Sequence, residues 1–103
     1  MSAFVKLAAK SELPENDEAR EFPLGDKMIC IANVDGVYCA MDNVCVHRGG
    51  PLGQGVVADG KVICPWHGWQ YDPKTGVPLE NPALRVAVYP LKVEGEDVLV
   101  QTE

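Results

Sequence analysis

The chain contains two histidines, and each of them lies within three residues of a cysteine. His47 follows Cys45 by two positions, and His67 follows Cys64 by three. Two thiolates and two imidazoles in two close pairs make a suitable set of four metal ligands. Chance is a weak explanation, because it must place both histidines beside two of the four cysteines. These four residues are therefore the candidate metal ligands.

The spacing of the pairs separates the metals that such a set can hold. A zinc finger usually joins Cys to Cys over about two to four residues and His to His over about three to five. Here each pair mixes one cysteine with one histidine. In a two-iron centre with mixed ligands, two histidines bind one iron and two cysteines bind the other. The spacing favours the iron–sulfur centre, and a structural zinc site remains the alternative.

The elements that position these pairs are predicted to be short strands joined by turns. Asp-Gly pairs at 35–36 and 59–60 separate β-prone runs and predict hairpins, because both residue types tolerate positive φ. A polar turn or loop is expected at 15–20 and one helical turn at 11–13. Ten glycines and eight prolines favour an all-β, sandwich or barrel-like domain. Strands are predicted at 4–7, 21–24, 28–32, 37–41, 55–58, 61–64, 70–71, 85–89 and 98–101.

The composition limits the number of domains and the class of partner. The 103 residues, 47% of them apolar, suffice for one domain. A net charge of −6 with nine scattered basic residues argues against nucleic-acid binding. The acidic surface either steers the chain to a basic patch on another protein or keeps it soluble. No run approaches the ~20 apolar residues of a membrane span, and the N-terminus lacks a signal sequence, so a cytoplasmic protein is expected.

The two remaining cysteines lie inside predicted strands that flank the first hairpin. We interpret Cys30 and Cys39 as buried thiols that act as small apolar residues. They could face each other across the hairpin, but a reducing cytoplasm disfavours a lasting disulfide.

The neighbourhoods of the two pairs resemble a known family. The segments CVHRGGPL at 45–52 and CPWHGWQYD at 64–72 resemble the two cluster loops of Rieske proteins. The resemblance implies a 2Fe–2S cluster whose buried iron is held by Cys45 and Cys64. It also implies that His47 and His67 hold the outer iron, near the surface.

The same resemblance implies the architecture of the chain. It predicts a single Rieske domain over 1–103, with an antiparallel β-sandwich base and a smaller cluster-binding subdomain at roughly 43–76. A further loop at 81–84 is expected to cover the cluster. Trp66 and Trp69 are expected to shield the cluster from water.

Three positions distinguish this chain from high-potential members of the family. Some of those members carry a disulfide between cysteines at the positions of Gly50 and Trp66. They also have a serine where this chain has Trp69, whereas their tyrosine matches Tyr71. These differences argue against a quinol-oxidising role, and they make the chain similar to the oxygenase-associated branch.

No catalytic apparatus is visible beyond the four candidate ligands. Both histidines are used, no Gly-rich dinucleotide motif is present, and a mononuclear iron triad would need a further histidine. The resemblance implies an electron carrier, not an enzyme: a ferredoxin between a flavin-dependent reductase and a terminal oxygenase. The alternatives are a small Rieske subunit of a reductase complex, such as an NADH-dependent nitrite reductase, and a structural zinc module.

Overall fold

A computed structural model describes residues 4–46, 49–66 and 68–101 of the chain. In these ranges there are ten strands and two short 3-10 helices, Lys10–Glu12 and Leu52–Gln54. The strands are β1 (Val5–Ala9), β2 (Glu18–Leu24), β3 (Lys27–Val34), β4 (Val37–Asp42), β5 (Val56–Ala58), β6 (Lys61–Ile63), β7 (Gln70–Tyr71), β8 (Val88–Tyr89), β9 (Leu91–Glu94) and β10 (Asp97–Val100).

The strands form three antiparallel sheets. The outer sheet has the order β1-β10-β9, the central sheet β2-β3-β4-β8, and the small sheet β5-β6-β7. The prediction of an all-β antiparallel sandwich is confirmed. The outer and central sheets form its base. In the small sheet, β5 and β6 lie between the two candidate cluster loops along the chain, and β7 follows the second loop.

Strand β3 of the central sheet is buried on both faces, to which its side chains point alternately. Ile29 and Ile31 of β3 belong to one core, and Cys30 and Ala32 belong to the other. All four are fully buried, so the strand has a continuous apolar run instead of an alternating pattern. The first core lies between the central and outer sheets and contains Ala8, Leu13, Phe22, Ile29, Ile31, Ala40, Val98 and Val100. The second lies on the opposite face and contains Cys30, Ala32, Met41, Cys45, Leu52, Val57, Val62, Cys64, Tyr71 and Val86.

Both Asp-Gly hairpins form as predicted. Asp35 and Gly36 have φ values of 52° and 85°, and Asp59 and Gly60 have φ values of 52° and 75°. Two consecutive residues with positive φ define the type I′ turn, whose twist matches that of the flanking strands. The second hairpin joins β5 to β6, and β6 ends immediately before Cys64.

Two predictions about the edges of the sheets are wrong, and a third is too long, because only Val88–Tyr89 of the strand expected at 85–89 forms. β2 begins at Glu18, inside the segment expected to be a polar turn or loop, and β9 was not expected at all. β2 lies at an edge of the central sheet and alternates between exposed and partly buried residues, so polar side chains dominate its first half. β9 lies at an edge of the outer sheet, and its last three residues are exposed. Edge strands bury less apolar surface, which weakens their pattern in the sequence.

The register of the first hairpin separates the two strand cysteines. Cys30 is opposite Met41, and Cys39 is opposite Ala32, so the two thiols are offset by two residues and do not face each other. Neither forms a disulfide. Cys30 is fully buried, as expected, whereas Cys39 is half-buried. No helix within the described ranges has the length and apolarity needed to cross a membrane.

Candidate metal centre

The first candidate cluster loop, residues 45–50, is closed by two backbone hydrogen bonds. The N–H of Cys45 donates to the carbonyl oxygen of Gly50 over 2.9 Å, and the N–H of Gly49 donates to the carbonyl oxygen of Cys45 over 2.8 Å. Gly49 has φ of 77°, in the left-handed region that glycine adopts without steric cost. The loop therefore turns back on itself with the cysteine at its first position.

The second loop, residues 64–69, repeats this arrangement. The N–H of Cys64 donates to the carbonyl oxygen of Trp69 over 2.8 Å, and the N–H of Gly68 donates to the carbonyl oxygen of Cys64 over 3.0 Å. Gly68 has φ of 76°, nearly the value at Gly49. The two loops have the same length and the same closing hydrogen bonds. Each places a cysteine at the point where the chain enters the loop.

The two loops contact each other through a glycine. Cys45 and Cys64 are each 2% exposed and belong to the same core. A Cβ atom added at Gly50 of the first loop would lie 2.7 Å from Sγ of Cys64 and 3.0 Å from Cγ of Trp66. A side chain at position 50 would force the Cys64 thiol or the Trp66 ring to move. The absence of a side chain there lets the two buried thiols occupy adjoining loops.

A buried tyrosine hydroxyl lies against the sulfur of the first cysteine. The Tyr71 hydroxyl is 2.9 Å from Sγ of Cys45 and accepts a hydrogen bond from the Val46 N–H over 3.1 Å. Burial is the main cause that raises the pKa of Tyr71, and the hydrogen bond with Cys45 raises it further, so the hydroxyl keeps its proton. A coordinated thiolate carries no proton, and Tyr71 would then be the donor to the sulfur.

Side chains outside the loops hold the first loop at its base. Asn43 is 4% exposed, and its Oδ1 accepts a hydrogen bond from the Gly53 N–H over 2.7 Å. Its Nδ2 donates to Oε2 of Glu21 in β2 over 2.7 Å. Val44 and Pro51, the residues on either side of the first loop, form an isolated antiparallel β-bridge. The sequence interpretation did not single out Glu21 or Asn43. No sequence signal indicates them, because the burial of Asn43 and its contact with Glu21 exist only in the folded chain.

A second carboxylate holds the end of the second loop. The N–H of Gln70 donates to both oxygens of Glu80, over 3.0 and 3.3 Å. The N–H of Leu79 donates to the carbonyl oxygen of Gln70 over 2.9 Å. The segment expected to cover the cluster, 81–84, forms a turn in which the Leu84 N–H donates to the carbonyl oxygen of Asn81 over 3.0 Å. Its position above the cluster stays a prediction.

The two tryptophans differ in their exposure. Trp69 is partly buried and packs against the core that contains the cysteines, as expected for a residue that excludes water. Trp66 is 57% exposed, which is more than its expected shielding role implies. Its ring contacts the position of Gly50 on one side and solvent on the other.

Both candidate histidine ligands, His47 and His67, lie outside the described residues. Within the described ranges, no three His, Cys, Asp or Glu side chains are grouped closely enough to hold a metal ion. The structure therefore brings Cys45 and Cys64 into adjoining loops, while the histidine half of the ligand set stays a prediction.

The described residues fit an iron–sulfur cluster. Such a cluster needs thiolates in a pocket from which water is largely excluded, with hydrogen-bond donors directed at its sulfur atoms. Cys45 and Cys64 are two such thiols, the Tyr71 hydroxyl is a donor, and Gly50 leaves room beside the second sulfur. Cys30 and Cys39 lie in strands β3 and β4 of the central sheet, outside the two loops.

Comparison with known proteins gives the family. Residues 3–90 match the model of the Rieske [2Fe-2S] domain. The biphenyl dioxygenase ferredoxin subunit of Pseudomonas sp. (strain KKS102) is 34% identical over 99 residues, which cover 94% of this chain and 90% of that protein. Human apoptosis-inducing factor 3 is 35% identical over 88 residues, 84% of this chain, but the chain spans only 14% of that relative. The ferredoxin of carbazole 1,9a-dioxygenase from Nocardioides aromaticivorans IC177 superimposes with a TM-score of 0.82 at 25% identity, covering 95% and 96% of the two chains.

The chain belongs to the Rieske family. Its cofactor is a 2Fe–2S cluster held by two cysteines and two histidines.

Proposed function

We propose that Cys45, His47, Cys64 and His67 are the four ligands of this cluster, with the cysteines on the inner iron and the histidines on the outer one. One observation carries the assignment: two buried cysteines occupy the same position in two equivalent, adjoining loops. When bound, the cluster supplies a site that gains and loses one electron. The loops 45–50 and 64–69 would bury its inner edge.

Metal analysis and EPR test the ligand assignment. The purified protein is expected to contain two irons and two labile sulfides per chain and to give a mixed His/Cys EPR signal when reduced. Cys45→Ala and Cys64→Ala each remove a thiolate and should abolish the cluster. Cys39→Ala is the matched control, because it removes a thiol from the central sheet, and it should keep full iron content. Full cluster retention in either loop variant would refute the assignment, and stoichiometric zinc without sulfide would identify a zinc module.

We further propose that the domain is an electron carrier and not an enzyme, which passes single electrons from a flavin-dependent reductase to a terminal oxygenase. Two relatives that match this chain over nearly the full length of both proteins are ferredoxins of dioxygenase systems. The exposed side chains of Val46 and Trp66 lie in the two loops, one in each, and offer apolar contacts to a partner. Electron-transfer encounters of this kind are small, with less than about 1,200 Å² buried.

Single-turnover kinetics test the carrier function. Protein reduced by NADH through a flavin reductase of the same organism should take up one electron per chain and be reoxidised by that organism's terminal oxygenase. Cys64→Ala protein, which lacks the cluster, is the control and should neither accept nor pass the electron. Tight copurification with a large reductase subunit, and no reaction with oxygenases, would favour the reductase-complex alternative instead.

We place the protein in the cytoplasm and treat it as one Rieske domain over 1–103, with a cluster-binding subdomain at roughly 43–76. Two thiols outside any disulfide, Cys30 and Cys39, suit a reducing compartment. The subdomain boundaries coincide with Asn43 at the base of the first loop and with the turn that follows β7. Cell fractionation tests the compartment, and periplasmic recovery would contradict it.

A further inference from the structure

We propose that Glu21 and Asn43 are positioning residues that hold the Cys45 loop in place for the cluster without touching it. Together with Gly53 and Gln54 they form a hydrogen-bonded unit that we call the loop bracket. The inference rests on the proposed role of Cys45 as a ligand.

The bracket uses every polar group of a buried asparagine. The backbone N–H of Asn43 donates to the carbonyl oxygen of Met28 over 3.3 Å, and its carbonyl oxygen accepts from the Leu52 N–H over 2.7 Å. Its side-chain Oδ1 accepts from Gly53, and its Nδ2 donates to Glu21, each over 2.7 Å. Asn43 therefore connects β3, the 3-10 helix after the loop, and β2. Buried polar groups that are fully paired resist displacement, because leaving one unpaired is costly.

The carboxylate of Glu21 joins the two ends of the first loop. Its Oε2 accepts from Asn43, before the loop, and its Oε1 accepts from Nε2 of Gln54, after it, over 3.0 Å. Within the described ranges Glu21 forms no ion pair with a lysine or arginine. Two amide donors converge on one acceptor group, and a carboxylate accepts at both oxygens. A glutamine at position 21 would have an N–H₂ group in place of one carboxylate oxygen, so it would direct a donor at the amide of either Asn43 or Gln54.

The close packing of the bracket limits which residue fits at position 53, three residues after the loop. A Cβ atom at Gly53 would lie 2.5 Å from Cγ of Glu21 and 2.7 Å from Oδ1 of Asn43. The backbone of Gly53 thus lies directly against both positioning side chains. Because Asn43 is only two residues before Cys45, a shift of the bracket moves the point where the chain enters the loop.

The chain contains a matched control for a buried asparagine. Asn33, 5% exposed, donates through Nδ2 to the carbonyl oxygen of Pro14 over 3.0 Å. Its Oδ1 accepts from the N–H of Gly36 over 2.9 Å. Asn33 is at the other end of β3, beside the first hairpin, and has no contact with Glu21. A change at Asn33 tests fold stability without changing the bracket.

An exchange of donor and acceptor tests the bracket. Asn43→Asp places two carboxylates against each other, whereas Glu21→Gln can direct its new N–H₂ at Gln54, whose exposed amide can turn its oxygen to accept it. Asn43→Asp should lose its cluster to a chelator about tenfold faster than wild type, the equivalent of one buried polar group left unpaired, and Glu21→Gln should lose it faster by a smaller factor. Each should also broaden the EPR signal. In the double variant, the new amide at position 21 donates to the new carboxylate at position 43, while the amide oxygen still accepts from Gln54. The loss rate should then return to within about twofold of wild type.

Two controls separate positioning from charge and from general stability. Glu18→Gln makes the same charge change in the same strand, and Asn33→Asp makes the same buried substitution. Both should keep the wild-type loss rate and EPR signal, although Asn33→Asp should lower the urea midpoint. An unchanged loss rate in Asn43→Asp, or no recovery in the double variant, would overturn the inference alone. A wild-type protein without a mixed His/Cys EPR signal would overturn the proposed function as well.

Discussion

The two loop cysteines have the same position but different neighbours. The sulfur of Cys45 lies beside the hydroxyl of Tyr71, whereas the sulfur of Cys64 lies beside the backbone of Gly50. A hydrogen bond from a hydroxyl to a cluster sulfur stabilises the more negative, reduced state. At the scale of single residues, Tyr71 is therefore the described side chain with the clearest influence on the reduction potential.

Tyr71→Phe should lower the reduction potential by tens of millivolts. A hydrogen bond to a charged group contributes roughly 1.5–3 kcal/mol, and only part of this differs between the redox states. For a one-electron step, about 59 mV corresponds to a tenfold change in the equilibrium constant. Voltammetry measures the shift. Tyr38→Phe changes a partly buried tyrosine of the base and is the control, so it should have the wild-type midpoint. An unchanged or raised midpoint in Tyr71→Phe would contradict the prediction.

At the scale of elements, Gly55 connects the 3-10 helix Leu52–Gln54 to strand β5 of the small sheet, and its backbone angles are ordinary. Gly55 has φ of −82°, which any residue can adopt, but a Cβ there would contact the carbonyl oxygen of Ile63 in β6. That oxygen belongs to backbone and cannot rotate away as a side chain can. The constraint is therefore one of space and not of conformation.

Gly55→Ala should destabilise the protein by roughly 3 kcal/mol, because β5 and β6 must separate to admit the methyl group. Gly60→Ala is the comparison. Gly60 has open space around it but φ of 75°, so that variant should cost about 1 kcal/mol of conformational strain. Urea unfolding of both variants measures the difference. A smaller cost at position 55 than at position 60 would show that the small sheet adjusts more easily than its packing indicates.

At the scale of the whole molecule, the central sheet is enclosed by layers on both faces, and a thiol is buried inside it. The pKa of Cys30 is raised from 9.0 to about 12, mainly by burial and to a lesser extent by the nearby carboxylate of Glu21. Between pH 9 and pH 12 the unfolded chain loses this proton while the folded chain keeps it. The unfolded state then binds fewer protons, so stability falls as the pH rises through this window and is fully present below it.

Cys30→Ala should reduce the loss of stability between about pH 9 and pH 12. The substitution leaves a small cavity, which lowers stability at every pH, but it removes the thiol that titrates in the unfolded state. Urea midpoints at about pH 8 and about pH 10.5, under reducing conditions, measure the two slopes. Cys39→Ala is the control, since burial also raises the pKa of Cys39 but that thiol is only half-buried. Equal slopes in wild type and Cys30→Ala would contradict the expectation.

The midpoint potential of the wild-type protein should be negative, between roughly −150 mV and 0 mV, at the low end of the Rieske range. Gly50 and Trp66 form no disulfide, and Trp69 has no hydroxyl to donate where high-potential relatives have a serine. The net charge of −6 adds a weak opposition to reduction, which salt screens. Voltammetry at low and high ionic strength tests both effects. A midpoint well above zero would contradict the prediction and the oxygenase-type carrier.

The sequence by itself determined the family, the all-β class and the main hairpins. The Cys-His pairs and their neighbouring glycines are local signals, and they indicated the family before any contact was known. Asp35-Gly36 and Asp59-Gly60 specify their turns through their own backbone preferences, so nearest neighbours sufficed to predict them. The central strand β3 was also predictable, because a continuous apolar run between turn residues is typical of a strand buried on both faces.

The tertiary structure decided the contacts between residues far apart in the chain. Glu21 and Asn43 are 22 positions apart, and neither has a sequence pattern that indicates the other. The edge strands β2 and β9 form because neighbouring strands supply their hydrogen-bond partners, although their own residues are largely polar or exposed. The contact of Gly50 with Cys64 likewise depends on two loops meeting in space. Such contacts are set by packing and pairing across the fold, which local propensity does not encode.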